Sequence, residues 1–338
     1  MLKRVALSVV VFLAGFSLLS TLSASGARAA EEMTVYSSNM QPLNDLAATE
    51  FQKATGIKAN MVRVPSGVSL KRIRAEKDNP HGDVSWGIGK VAIMSNLDLF
   101  EPYKSRYFDL VAPESRDPEY RWIGTNLQLL VFMYDKELLK DGESPRKWSD
   151  LIDPKWKNKI AYPNPANSVF AFTSFTMMLH EFGNNEAAWK KMEAFLENVQ
   201  VLEQSPMVPI SVEKGEFPLG ISQEYVVTRY LVSGAKIGMI YPEDGNAIQT
   251  ETAAIIKGTK NRKAAEKFVD FCNDRNFREL VVKDQFRRPA RKDLDFSKLV
   301  PIPPLSQIKM MPGYSEIAFL NERDKILARV KDILLKIK

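Results

Sequence analysis

WSDLIDPKWKNKIAYPNPANS, Trp148 to Ser168, packs a whole structural grammar into twenty-one residues. Trp148 to Ile152 forms a short amphipathic turn, stopped at Asp153 and Pro154 because proline has no N–H to continue a helix. Lys155 to Lys159 is basic and solvated, and Ile160 to Tyr162 is a short apolar run that reads as a buried strand. The strand enters a turn of small polar residues, Pro163 to Ser168, and a helix is predicted directly after it, from about Phe170 to Phe182. A strand end, a polar turn and a helix start together make the usual ligand crevice of an open α/β sheet.

The same grammar repeats on both sides. Met33 to Ser37 reads as a strand, Ser37-Ser38-Asn39 as a polar turn, and Pro42 to Ala54 as a helix closed by Gly56. Ile57 to Val64 and Asp83 to Ile88 are further strands, separated by a turn at Pro65 to Ser69 and a basic helix near Leu70 to Lys77. Alternating strands and helices predict mostly parallel sheets with covered faces. Leu127 to Tyr134 is an apolar run long enough to cross between domains. After it come helices at Asn185 to Glu197 and Glu224 to Leu231, and strands at Glu216 to Ser222 and Ile237 to Tyr241. A second crossing is read near residues 246–256, then helices at Arg262 to Phe277 and in the tail.

The wording of these segments resembles the periplasmic solute-binding proteins of ABC importers, in the ferric-iron, aminoethylphosphonate and hexose-phosphate branch. The Trp-Asp-Leu turn, the Asp-Pro-Lys-Trp-Lys step and the Pro-Ala-Asn-Ser loop of residues 148–168 carry the resemblance. TVYSSN (34–39), ATGIKA (54–59), DVSWG (83–87), YPEDG (241–245) and AAIIKGTKN (253–261) agree with it. It implies a type 2 periplasmic binding protein fold, α/β and two-lobed, each lobe a mostly parallel sheet flanked by helices, with a hinge of two crossings. Residues 30–127 and 251–338 would form lobe 1 and residues 128–250 an inserted lobe 2. A monomer that binds a small anionic solute and hands it to a membrane permease is the implied partnership.

Composition fits export. Lys3 and Arg4 precede an apolar run from Val5 to about Leu19 and then Ala27-Arg28-Ala29, so residues 1–29 read as a signal peptide and the protein as periplasmic. Losing that segment removes three basic residues and no acid, taking the formal charge from +6 to +3. Scattered Lys and Arg with so small an excess exclude a nucleic-acid protein and suit capture of a small anion. The lone Cys272, in an apolar helical run, excludes a disulfide framework and a cysteine metal site.

Catalytic signatures are missing from the sequence. There is no Gly-x-Ser-x-Gly elbow, and His180-Glu181 is followed by Asn184 where a zinc helix needs a second histidine. Gly87-Ile88-Gly89 lacks the third glycine of a dinucleotide loop, so no cofactor is expected. What remains is a set of polar turns before helices: Ser37, Ser38 and Asn39; Ser66 and Ser69; Asn167 and Ser168. Hydroxyls, amides and free N–H groups at helix starts bind phosphate or carboxylate, or else cap the helix.

Gln223, Glu224 and Tyr225 complete the candidate site. In ferric members of the resembled branch two adjacent tyrosines bind iron here, with a histidine in the first turn. This chain has Tyr225 between Glu224 and Val226, and Met40 in the first turn, so the full iron site is missing. The expected ligand is a hexose phosphate or an aminoalkyl phosphonate. The alternatives are ferric iron on Tyr225 with an exogenous anion and, more distantly, a secreted hydrolase.

Overall fold

The computed structural model describes residues 31–337 apart from Asp141, Asp295, Ser297 and Lys298. Residues 1–29, read above as a signal peptide, lie outside the described residues. Among the described residues twelve strands occur in chain order: β1 (Glu32–Ser37), β2 (Lys58–Arg63), β3 (Val84–Gly89), β4 (Phe100–Glu101), β5 (Ile123–Gln128) and β6 (Leu130–Asp135) come first. β7 (Ile160–Pro163), β8 (Val199–Leu202), β9 (Leu219–Gln223), β10 (Ile237–Ile240), β11 (Gln249–Ile256) and β12 (Arg288–Pro289) follow. They make a seven-stranded sheet ordered β12-β5-β11-β3-β1-β2, with β4 also on β11, and a five-stranded sheet ordered β10-β6-β9-β7-β8.

Local sequence explains the elements that position the cleft. The helix Gln41–Thr55 buries Leu43, Ala47 and Phe51, one apolar residue per turn, and stops at Gly56, whose φ of 74° suits a residue without Cβ. Phe51, Trp86 and Phe268 then stack edge to face in the core under the first sheet. The Trp148–Ser168 stretch has a structural job. Trp148, Leu151, Trp156, Ile160 and Tyr162 all enter the core beneath the second sheet, with Phe132 edge-on to Trp148 at 4.9 Å.

Three expectations need correcting. The sheets are mixed rather than mostly parallel: β1–β2, β1–β3, β7–β8 and β7–β9 are parallel, while β11 and β6 run antiparallel to every neighbour. Both are strands that the chain enters straight from a crossing, with no helix to turn it round. The run Leu127 to Tyr134 divides at Leu129 into β5 of one sheet and β6 of the other, and β11 lies wholly in the first sheet, so the second crossing falls between Ile240 and Gln249. The segment Arg262 to Phe277 is two helices, because the Asp274 carboxylate accepts from the N–H groups of Asn276 and Phe277 and starts a new one.

The tail also departs from the simple chain-order reading. Phe319, Ile326, Val330 and Ile333 sit in the second-sheet core with Trp189 and Phe195, so the chain passes between the sheets a third time. The three passages meet at Asn246. Its side chain donates to the Leu130 carbonyl (2.6 Å) and accepts from the Leu130 N–H (3.2 Å). Its backbone pairs with Lys309 and Met311 of the tail. A buried amide thus supplies the ladder bonds that neither crossing makes for itself.

Candidate functional site

A cavity of about 790 Å³ opens between the two sheets. One wall comes from the first sheet: Ser38 and Met40 after β1, Ser66 at the next helix start, Gly87 and Gly89 of β3 and Lys90 just after it, and Gln249 and Glu251 from β11. The other comes from Val169 and Phe170, Ser205 to Ile210, and Ser222 to Ser233 around the helix Glu224–Val232. Gly87, at φ 87°, leaves no room for a side chain, since a Cβ there would meet the Asn39 amide at 2.6 Å. The helices beginning at Gln41, Ser66 and Glu224 have no side-chain cap; Pro42 brings no N–H to the first, and the Glu224 N–H of the third donates to the Leu129 carbonyl, so the Ser66 start is the one most open to another partner.

Charge at the cavity is mixed but weighted to cations. Lys90, Arg229 and Arg287 line it, opposed by Glu251 and Glu316. Arg287 is the most enclosed of these. One of its nitrogens donates to both Glu251 oxygens at 2.7 Å, and its guanidinium lies 4.2 Å over the Tyr225 ring. Burial opposes its charge, yet the Glu251 carboxylate and then Tyr225 outweigh that and raise its pKa further above the arginine range. Glu251 is filled by its own neighbours, accepting also from Asn126 at 2.8 Å and from Gln128. Burial pushes the Glu316 carboxyl above the usual carboxylate range, although Gln249 and Thr173 donate to it and Lys90 lies near.

Four predicted site residues meet at this cavity: Ser38, Ser66, Gln223 and Tyr225. The other six do not line it. Ser37 donates to Asn44 at 2.6 Å and accepts from the backbone and side chain of Asn39, a buried knot that shapes the first turn. Ser69 is fully buried one turn into its helix. Ser168 accepts from the Ala171 N–H and from Ser205, capping its helix, while Asn167 pairs with Glu203 on the surface. Glu224 is buried against Arg288 at 2.5 Å and receives the Tyr241 hydroxyl. Glu243 and Asp244, of the YPEDG string, pair with Arg146 and the Ser149 N–H and close the second crossing onto the Trp148 turn.

Lys90, Arg229, Arg287, Glu251 and Glu316 were not in the sequence-based set. For Arg229 a signal existed: it lies four residues after Tyr225, on the same helix face. His180, set aside as a helix-face residue, hydrogen-bonds the Pro312 carbonyl at 2.9 Å and stacks edge-on to Tyr314.

Known proteins of this architecture are easily found. A solved structure of the periplasmic binding protein AfuA from Actinobacillus pleuropneumoniae superposes with a TM-score of 0.76 at 24% identity, covering 90% of this chain and 98% of that one. An uncharacterized protein of Haemophilus influenzae is 27% identical over 281 residues, 78% of this chain and 79% of its own. The iron uptake protein A1 of Synechocystis is 23% identical, over 80% of this chain and 79% of its own. The two-sheet α/β structure is that of type 2 periplasmic binding proteins. The model of the bacterial extracellular solute-binding protein family matches residues 92–312, and the chain belongs to that family.

Proposed function

We propose that the protein is the periplasmic receptor of an ABC import system and that its cleft closes on a small organic anion. The observation that carries this is the convergence of Lys90, Arg229 and Arg287 on a cavity bordered by the starts of three helices that lack a side-chain cap. Cations and helix starts stabilise negative charge by the same electrostatics and without a metal. Binding groups come from both sheets, as closure requires, because a ligand favours the closed form only through contacts made better there. Ser38 and Ser66 from one wall, and Gln223, Tyr225 and Arg229 from the other, are the contacts we assign. The AfuA structure holds bound fructose-6-phosphate, which supports an anion in this place.

A thermal-shift panel of phosphate esters, phosphonates, carboxylates and ferric citrate tests this. A ligand at about 100 times its Kd adds roughly 2.7 kcal/mol to stability, enough for a measurable rise in Tm. A rise with organic anions, lost in Arg229→Ala, is expected; a rise with ferric citrate alone overturns the reading. The iron alternative keeps Tyr225 in the cavity wall and the iron uptake relative from Synechocystis in its favour. It predicts a visible tyrosinate-to-iron colour that Tyr225→Phe removes. Against it, a guanidinium covers that ring at 4.2 Å, which opposes binding of a second cation there.

A further inference from the structure

We propose that the anion taken up by this cleft has an apolar body, such as an aryl phosphate or aryl phosphonate, and is neither a sugar phosphate nor an aminoalkyl phosphonate. The inference rests on the anion reading above and names its substrate class.

The first observation is that several polar side chains of the cavity are already partnered with one another. Ser38 and Ser66 hydrogen-bond each other at 3.1 Å, Gln223 donates to Gln128 at 2.8 Å, and Ser205 donates to Ser168 at 2.7 Å. The Gln249 amide nitrogen is held by Thr173 and Glu316, which leaves its oxygen as a single acceptor without a partner. Glu251, which faces the cavity, accepts from Asn126, Gln128 and Arg287 at once. A sugar ring brings four or so hydroxyls that need partners, and burying them unmatched is unfavourable. An ammonium group needs a free carboxylate. Of the two carboxylates at this cavity, Glu251 is saturated and Glu316 is biased by burial toward its neutral form.

The second observation is what the rest of the wall is made of. Met40 on one side and Val169 and Ile210 on the other are 48%, 64% and 43% exposed, and all three face the cavity. Pro42, Phe170 and Pro206 extend the same surface. Large apolar side chains left in water at a concave site are area that a ligand can bury. Arg229, and Lys90, whose ammonium donates to the Glu114 carbonyl at 3.2 Å and keeps two further N–H groups, then take the charged head.

Titration calorimetry of the purified protein with inorganic phosphate, glucose 6-phosphate, 2-aminoethylphosphonate and phenyl phosphate tests the class. Phenyl phosphate should bind at least about tenfold more tightly than either other organic probe. The double variant Met40→Gln/Ile210→Gln should weaken phenyl phosphate about tenfold and leave inorganic phosphate unchanged. Equal or tighter binding of glucose 6-phosphate or 2-aminoethylphosphonate overturns the proposal and leaves the anion reading standing. So does an equal loss for all organic probes in the double variant, which would mean that these side chains only pack on each other at closure. No heat with any of the four probes defeats the anion reading itself, and the substrate class with it.

Discussion

Arg287 and Arg288 are neighbours in the sequence and opposites in the structure. Successive residues of an extended segment point to opposite sides, so one guanidinium reaches the ligand cavity and the other the interior. Arg288, on β12 of the first sheet, donates through two nitrogens to Glu224, at the start of a helix beside the second sheet, at 2.5 and 3.1 Å. Both side chains are essentially dry, at 1% and 2% exposed. Arg287 pairs with Glu251 inside the first sheet, and that pair borders the cavity. Equal chemistry therefore serves two ends: one pair spans the sheets and excludes water, and the other holds a cation at the wall of the cavity.

Removing one charge from the dry pair should have the largest effect. Glu224→Gln strands the Arg288 charge in the interior, and breaking a buried pair in this way costs about 3–5 kcal/mol. Chemical denaturation of variant and parent measures it. A loss below about 1 kcal/mol would mean that water reaches Arg288 and that the two pairs do not differ in kind.

A neutral substitution at the same hinge separates charge from lost hydrogen bonds. Asn246→Ala leaves the N–H and C=O of Leu130 unpaired in a buried site, which costs about 1–3 kcal/mol. The expected loss is smaller than for Glu224→Gln. If the two are equal, hydrogen bonds alone account for the Arg288 pair.

The cavity-side pair should respond in binding more than in stability. Glu251→Gln keeps an amide for Asn126 and Gln128 to contact but releases Arg287 from its counter-charge, with the cavity beside it. The stability loss should fall below that of Glu224→Gln, because this pair borders the cavity and Glu251 is 13% exposed, while affinity for inorganic phosphate rises by a few-fold. A weaker affinity would show that Glu251 serves the ligand by holding Arg287 in place, and the anion site would then move to Lys90 and Arg229.

These contrasts mark how far the sequence could be read. Elements with a local cause were legible: Gly56 ended its helix, Trp148 to Ile152 formed its turn, and Ile160 to Tyr162 its strand. The two-sheet architecture followed from the alternation of such elements and from the quoted strings. Strand direction was not legible, since it depends on where each crossing delivers the chain. Nor was the third passage, because the tail's stripe of Ile326, Val330 and Ile333 fits any apolar surface and only packing chooses one. At the site, the polar turns were visible but their employment was not. Ser37 and Ser38 are adjacent; one is knotted to Asn44 and the other faces the cavity, a difference of strand phase by a single residue. Lys90, Arg287 and Glu316 come from three distant segments, so no spacing could have joined them.

The smallest expected effect concerns Glu316, the cavity carboxyl without a dedicated cation. Burial raises its pKa in the folded protein, whereas in the unfolded chain a glutamate titrates near about 4.3. The folded state therefore holds this proton more firmly. The stability so gained is complete below about pH 4.3 and is lost as the pH rises through the folded value. Glu316→Gln cannot ionise and so escapes that loss, while its amide oxygen still accepts from Gln249. Melting temperatures of parent and variant should thus diverge with rising pH, the variant becoming the more stable, by less than any of the changes above. A constant gap from pH 4 to pH 8 would mean that Lys90 compensates the ionised carboxylate in full. Lys90 would then be tied to Glu316 rather than free for a solute, and Arg287 and Arg229 would be left as the anion's partners.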